Sequence, residues 1–162
     1  MTIKRIMAIL TASVACVCLG GTSAEAATPA SGSGTFTISF VPVVERIADG
    51  NTFIDYTFVE NDAGIVNGTR IGSGELVIHP DGSFNTQNTA IFTGSMAGSQ
   101  SGTAEMDFWG SGTFALAGGN FTATHGTGGL AGVHAQGTDS GTATSATTFV
   151  GTNEFKVNFS AP

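Results

Sequence analysis

From residue 34 onward apolar side chains recur at every second residue, and nowhere at the three- and four-residue spacing of a helix. Phe36, Ile38 and Phe40 share one parity, as do Ile54, Tyr56 and Phe58, and later Phe149, Phe155, Val157 and Phe159. A strand turns successive side chains to opposite faces, so each run has one apolar and one polar face. Gly, Asn and Asp break the runs, as turns require. Eight strands are expected, at about 34–46, 52–60, 69–79, 83–95, 101–110, 112–124, 131–142 and 147–159. Pro80-Asp81-Gly82 makes one of the tight turns between them.

Glycine decides how these strands assemble. There are 24, many inside strands, such as Gly72, Gly74, Gly94, Gly110, Gly112 and Gly137. Glycine weakens a strand and usually marks a bulge or a bend. Small barrels need such bends to curl and close, and closure removes aggregation-prone edges. The expected fold is therefore all-β, a closed eight-stranded antiparallel barrel over residues 34–162.

The first residues set the compartment. Lys4 and Arg5 precede an uncharged apolar stretch from Ile6 to Leu19, and Ala24-Glu25-Ala26 supplies an Ala-x-Ala site. These are the three parts of a cleavable secretory signal peptide, here 1–26. The apolar stretch is shorter than the ~20 residues a spanning helix needs. Residues 27–33 are small and polar, and read as a flexible lead-in. Removing 26 of the 162 residues leaves 136, enough for one domain with its own core. Both cysteines, Cys16 and Cys18, leave with the signal, so the exported, secreted or periplasmic chain has no disulfide and no thiolate chemistry. The net charge of −7 becomes −8 when Lys4, Arg5 and Glu25 are removed, and only Arg46, Arg70 and Lys156 remain basic. Three scattered cations build no nucleic-acid surface, and an anionic membrane would repel the mature protein.

Two glycine-rich stretches carry a family resemblance. Ile91-Phe92-Thr93-Gly94-Ser95-Met96-Ala97-Gly98 and Gly126-Thr127-Gly128-Gly129-Leu130-Ala131-Gly132 resemble hairpins of the allene oxide cyclase and dirigent-type barrels. The second is similar to the Gly-Thr-Gly-x-Leu-Ala-Gly of a bacterial family of unassigned function. Gly34-Thr35-Phe36-Thr37-Ile38 and Pro80-Asp81-Gly82-Ser83 also fit. The resemblance implies an eight-stranded barrel with an apolar lumen, often in dimers or trimers, and no metal or organic cofactor. Its plant members guide cyclisation of an oxylipin or coupling of phenoxy radicals. Their catalytic positions lie outside the matching motifs, so no residue role is carried over.

Several residues could carry chemistry. Glu105 and Asp107, two apart on the fifth strand with Trp109 next in line, share one face. Turned inward, they form a paired-carboxylate acid/base site beside a stacking aromatic. Turned outward, they leave Ala104, Met106 and Phe108 for the core, which hydrophobicity favours. Tyr56 either offers its hydroxyl to a luminal ligand or is a satisfied core aromatic. Arg70 either holds a carboxylate ligand or pairs with an acid on the surface, the surface role being favoured. His125 and His134 flank the glycine loop, but no carboxylate motif completes a metal site.

Two functions follow from a barrel of this kind. One is an exported barrel binding a small apolar or amphipathic molecule, as carrier or as cofactor-free cyclase or isomerase. The other is a non-catalytic structural or surface-interaction barrel whose lumen is filled by its own side chains, for which the 12 phenylalanines suffice. A luminal cavity of ~300 Å³ with convergent polar groups separates the first from the second.

Overall fold

Eight antiparallel strands close into a barrel in simple meander order in the computed structural model, which describes residues 28–160. They are β1 (Ala30–Ala48), β2 (Asn51–Gly64), β3 (Val66–Ile78), β4 (Phe84–Met96), β5 (Gly102–Thr113), β6 (Leu116–Gly128), β7 (Val133–Ser145) and β8 (Thr148–Phe159). There is no helix among the described residues. The ring closes where β1 pairs with β8, from Ala30 opposite Val157 to Ser39 opposite Thr148. The signal segment 1–26 lies outside the described residues. Residues 30–33, expected to be a flexible lead-in, are already part of β1, because β8 extends far enough to pair with them.

Turn chemistry sets the strand ends. Asp49 and Gly50 join β1 to β2 with φ of 50° and 79°. Two left-handed residues give the hairpin a twist that matches its strands, and Asp-Gly tolerates that backbone at low cost. β6 starts four residues later than the sequence suggested, because Phe114 and Ala115 form the turn. It bends at His125, which sits at φ 52° opposite the register shift between Thr103 and Glu105.

The two ends of the barrel differ. At the end holding the β2–β3, β4–β5 and β6–β7 turns, Val66, Phe92, Met96, Leu130, Val133 and Val157 form a fully buried core. The glycine-rich segment between β6 and β7 folds back to put Leu130 into this plug. Val133 N–H donates to the Leu130 carbonyl, and Leu130 N–H donates to the Thr127 carbonyl. A Cβ on Gly126 would collide with the Leu130 carbonyl, so this close approach needs glycine. Leu130→Ala is expected to leave a cavity and cost about 2–5 kcal/mol, read as a shift in urea midpoint with unchanged slope. A shift below ~1 kcal/mol would show that the plug is not packed as described.

Candidate functional site: a charged floor beneath an aromatic mouth

The inner face of β2 runs Ile54, Tyr56, Phe58, Glu60, Asp62, so the parity that buries two aromatics also buries two carboxylates. On β3 the same logic turns Arg70 inward, between Gly68 and Gly72. On β7 it turns Asp139 inward, between Gly137 and Gly141, and on β8 it turns Asn153 inward after Gly151. Arg70, Asp139 and Asn153 thus have inward glycines beside them on their strands. Those glycines leave no room for a Cβ: at Gly141 and Gly151 it would press on the Phe36 ring, and at Gly137 on the Phe121 ring.

Arg70 is 3% exposed and gathers the carboxylates. Its Nη2 donates to Asp62 Oδ1 at 2.8 Å. Its Nη1 stands 3.0 Å from Glu60 Oε1, at ion-pair distance but without hydrogen-bond alignment. The same nitrogen is 3.8 Å from Asp139 Oδ2. Asn153 Nδ2 donates a second hydrogen bond to Asp62 Oδ1 at 3.1 Å. The guanidinium also lies 5.3 Å from the Phe121 ring centre and 5.7 Å from that of Phe155, which belong to the plug.

Three carboxylates share one cation in a place water barely reaches, and burial disfavours their charge. Burial pushes the Glu60 carboxyl up to about 8, against the pull of Arg70 and helped by the charges of Asp62 and Asp139. It pushes Asp139 up to about 6, again against Arg70. Burial raises Asp62 too, against the pull of Arg70 and the hydrogen bonds it accepts from Arg70 and Asn153. Near neutral pH the cluster therefore holds a proton on Glu60 and negative charge on Asp139.

Glu60, Arg70 and Asp139 form the floor of a cavity of about 110 Å³ that opens at the other end of the barrel. Its walls are aromatic. Phe84, Phe114 and Phe149 pack as a trio with ring centres 5.3–6.3 Å apart, and Phe40 and Tyr56 form a second pair at 5.7 Å. The volume is well below ~300 Å³, so a drug-sized molecule does not fit wholly inside. A dry cavity of about 150 Å³ holds a whole benzene ring, so this smaller, open-ended space suits a compact group or the tip of a longer ligand.

The residues singled out in the sequence are divided by the barrel wall. Glu105 and Asp107 face outward, where Glu105 pairs with exposed His125 at 2.9 Å, and Trp109 lies beside them at 45% exposure. A luminal Glu105–Asp107 pair is therefore corrected: Ala104 and Met106 take the inner positions of β5, and parity leaves the acids outside. The favoured surface role of Arg70 is corrected as well, since β3 puts it in the lumen. It is not free to hold a carboxylate ligand, because both terminal nitrogens already face acids. Tyr56 lines the cavity with its ring. Thr86 Oγ1 donates to the Glu75 carbonyl at 3.0 Å, so the Tyr56 hydroxyl donates to Thr86 at 2.8 Å and accepts from Asn88 at 3.3 Å. That hydroxyl is satisfied within the protein.

Glu60, Asp62, Asp139 and Asn153 were missed. The signal was present: extending the parity of Tyr56 and Phe58 reaches Glu60 and Asp62, and Asn153 is in step with Phe149 and Phe155. Among the described residues, no group of three His, Cys, Asp or Glu side chains is placed to hold a metal ion.

No family model matches the chain, and no curated protein matches it. Among solved structures it is similar to a protein of unknown function from the DUF3224 family of Shewanella oneidensis MR-1, with a TM-score of 0.66 at 15% identity. The match covers 83% of this chain and 99% of that one, and at this identity it shows that the two share a barrel fold.

Proposed function

We propose that this chain is an exported barrel, of the allene oxide cyclase and dirigent kind, that binds a small amphipathic molecule in the open half of its lumen. The observation that carries this is one atom. Asp139 Oδ1 is buried without a hydrogen-bond partner, on a residue that lines the cavity floor. A buried acceptor left unmade costs about 1–3 kcal/mol, and a ligand that donates to it recovers that loss. The aromatic mouth supplies the apolar contact and the floor fixes orientation.

A second reading is favoured by Glu60 and Asp139 facing the same cavity. One carboxyl is protonated and the other ionised near neutral pH, which suits proton transfer in a cofactor-free cyclase or isomerase.

Native mass spectrometry of freshly purified protein and titration with the neutral dye Nile red test the binding reading. Ala117→Trp, which fills the cavity from its lining, is expected to weaken dye binding at least about tenfold while a cooperative melt and the wild-type circular dichroism spectrum at 25 °C are kept. Protein that carries nothing and binds no dye would end it.

A further inference from the structure

Resting on the reading above, we propose that the ligand presents a protonated amine to the cavity floor, between Glu60 and Asp139. The inventory of unmet groups points this way. Of the buried side-chain atoms without a hydrogen-bond partner in the cluster, Asp62 Oδ2, Asp139 Oδ1 and Asn153 Oδ1 are acceptors, Arg70 Nε is a donor, and the Glu60 carboxyl becomes a pure acceptor once it gives up its proton. Acceptors outnumber donors, and an ammonium group brings three donors and accepts none. Charge agrees. Arg70 and Asp62 cancel, so Asp139 leaves the floor one negative charge in excess near neutral pH, and a second is released if Glu60 yields its proton. A bound cation removes the imbalance that burial makes costly. The walls agree too, since ring faces attract a cation at the mouth where they would repel an anion. A carboxylate ligand would meet three acids around one arginine whose Nη2 is already bonded to Asp62.

Asp139 is the residue that distinguishes an amine from a neutral ligand. It is 9% exposed, and its nearest cation is 3.8 Å away, too far for a hydrogen bond. Asp62, in contrast, is committed through Oδ1 to Arg70 and Asn153.

Matched probes of one shape test this by isothermal titration at pH 7.5: benzylamine, benzyl alcohol and benzoate. Benzylamine is expected to bind at least about tenfold more tightly than benzyl alcohol, with benzoate weakest. Asp139→Asn should bring benzylamine to within about threefold of the alcohol, whose own affinity falls by much less than the amine's. Should that variant melt early, Glu60→Gln, which cannot yield a proton to become a charged acceptor, should weaken benzylamine more than the alcohol. Equal binding of amine and alcohol, or preference for benzoate, overturns the amine inference. If Nile red still binds in that case, the binding barrel stands and only the ligand class falls. If neither probes nor dye bind, the underlying reading falls with it.

Discussion

Arg70→Met is expected to remain folded only in acid. The substitution keeps most of the side-chain volume and removes the one cation that faces Glu60, Asp62 and Asp139 among the described residues. Breaking a buried ion pair from one side costs about 3–5 kcal/mol, because the partner charge stays behind without compensation. Here up to three charges stay behind. At pH 7.5 the melting temperature should drop by on the order of 10–20 °C, or the cooperative transition should vanish. At pH 4.5 the abandoned carboxyls can take up protons, and most of the loss should be recovered. Circular dichroism melts of wild type and variant across pH check this. A variant that melts like wild type at pH 7.5 would mean that the arginine is not enclosed by acids.

The second large effect is the pH profile of the wild type. Glu60 is held near 8 and Asp139 near 6 in the folded protein, against ordinary values of 4.5 and 3.8. Between those limits the folded state binds more protons than the unfolded one. Stability then falls as pH rises. The contribution of the two acids is complete below about pH 4, is eroded around pH 6 as Asp139 ionises, and is lost as pH passes 8 with Glu60. The combined loss is on the order of several kcal/mol, since each tenfold gain in proton affinity on folding is worth about 1.4 kcal/mol. Urea midpoints should therefore decline from pH 5 to pH 9, a trend opposite to that of a protein stabilised by surface ion pairs. Glu60→Gln should flatten the upper limb and Asp139→Asn the lower one. A wild-type profile that rises across this range would overturn the assignment of protons to the cluster.

The barrel was legible in the sequence because period-two alternation and glycine bends are local signals. The inward parity of Phe36, Ile38, Phe40, Tyr56 and Phe58 could be read without knowing which strands touch. The site was less legible, because hydrophobicity decides which face is inside only while the inner face stays apolar. At Glu60, Asp62, Asp139 and Asn153 it does not, and polar residues there look like the solvent face or the end of a strand. Only three-dimensional closure brings β2, β3, β7 and β8 around one arginine. Glu105 and Asp107 failed as a luminal pair for the complementary reason: two acids on one parity mark a face, and Ala104, Met106 and Phe108 had already claimed the other. The recurring pattern of an inward polar residue between inward glycines, as in Gly68-Thr69-Arg70-Ile71-Gly72 and Gly137-Thr138-Asp139-Ser140-Gly141, is the sequence mark of the charged floor.

The meander order has a kinetic consequence. Seven of the eight strand pairings join neighbours in sequence, so their hairpins can zip from their turns within microseconds to tens of microseconds. The eighth, Ala30 with Val157 through Ser39 with Thr148, unites opposite ends of the described chain and carries nearly the whole loop entropy of the fold. Until that seam forms, β1 and β8 are both open templates for a second molecule. Crowded refolding should therefore favour strand-exchanged pairs of chains, while slow dilution should favour the single ring.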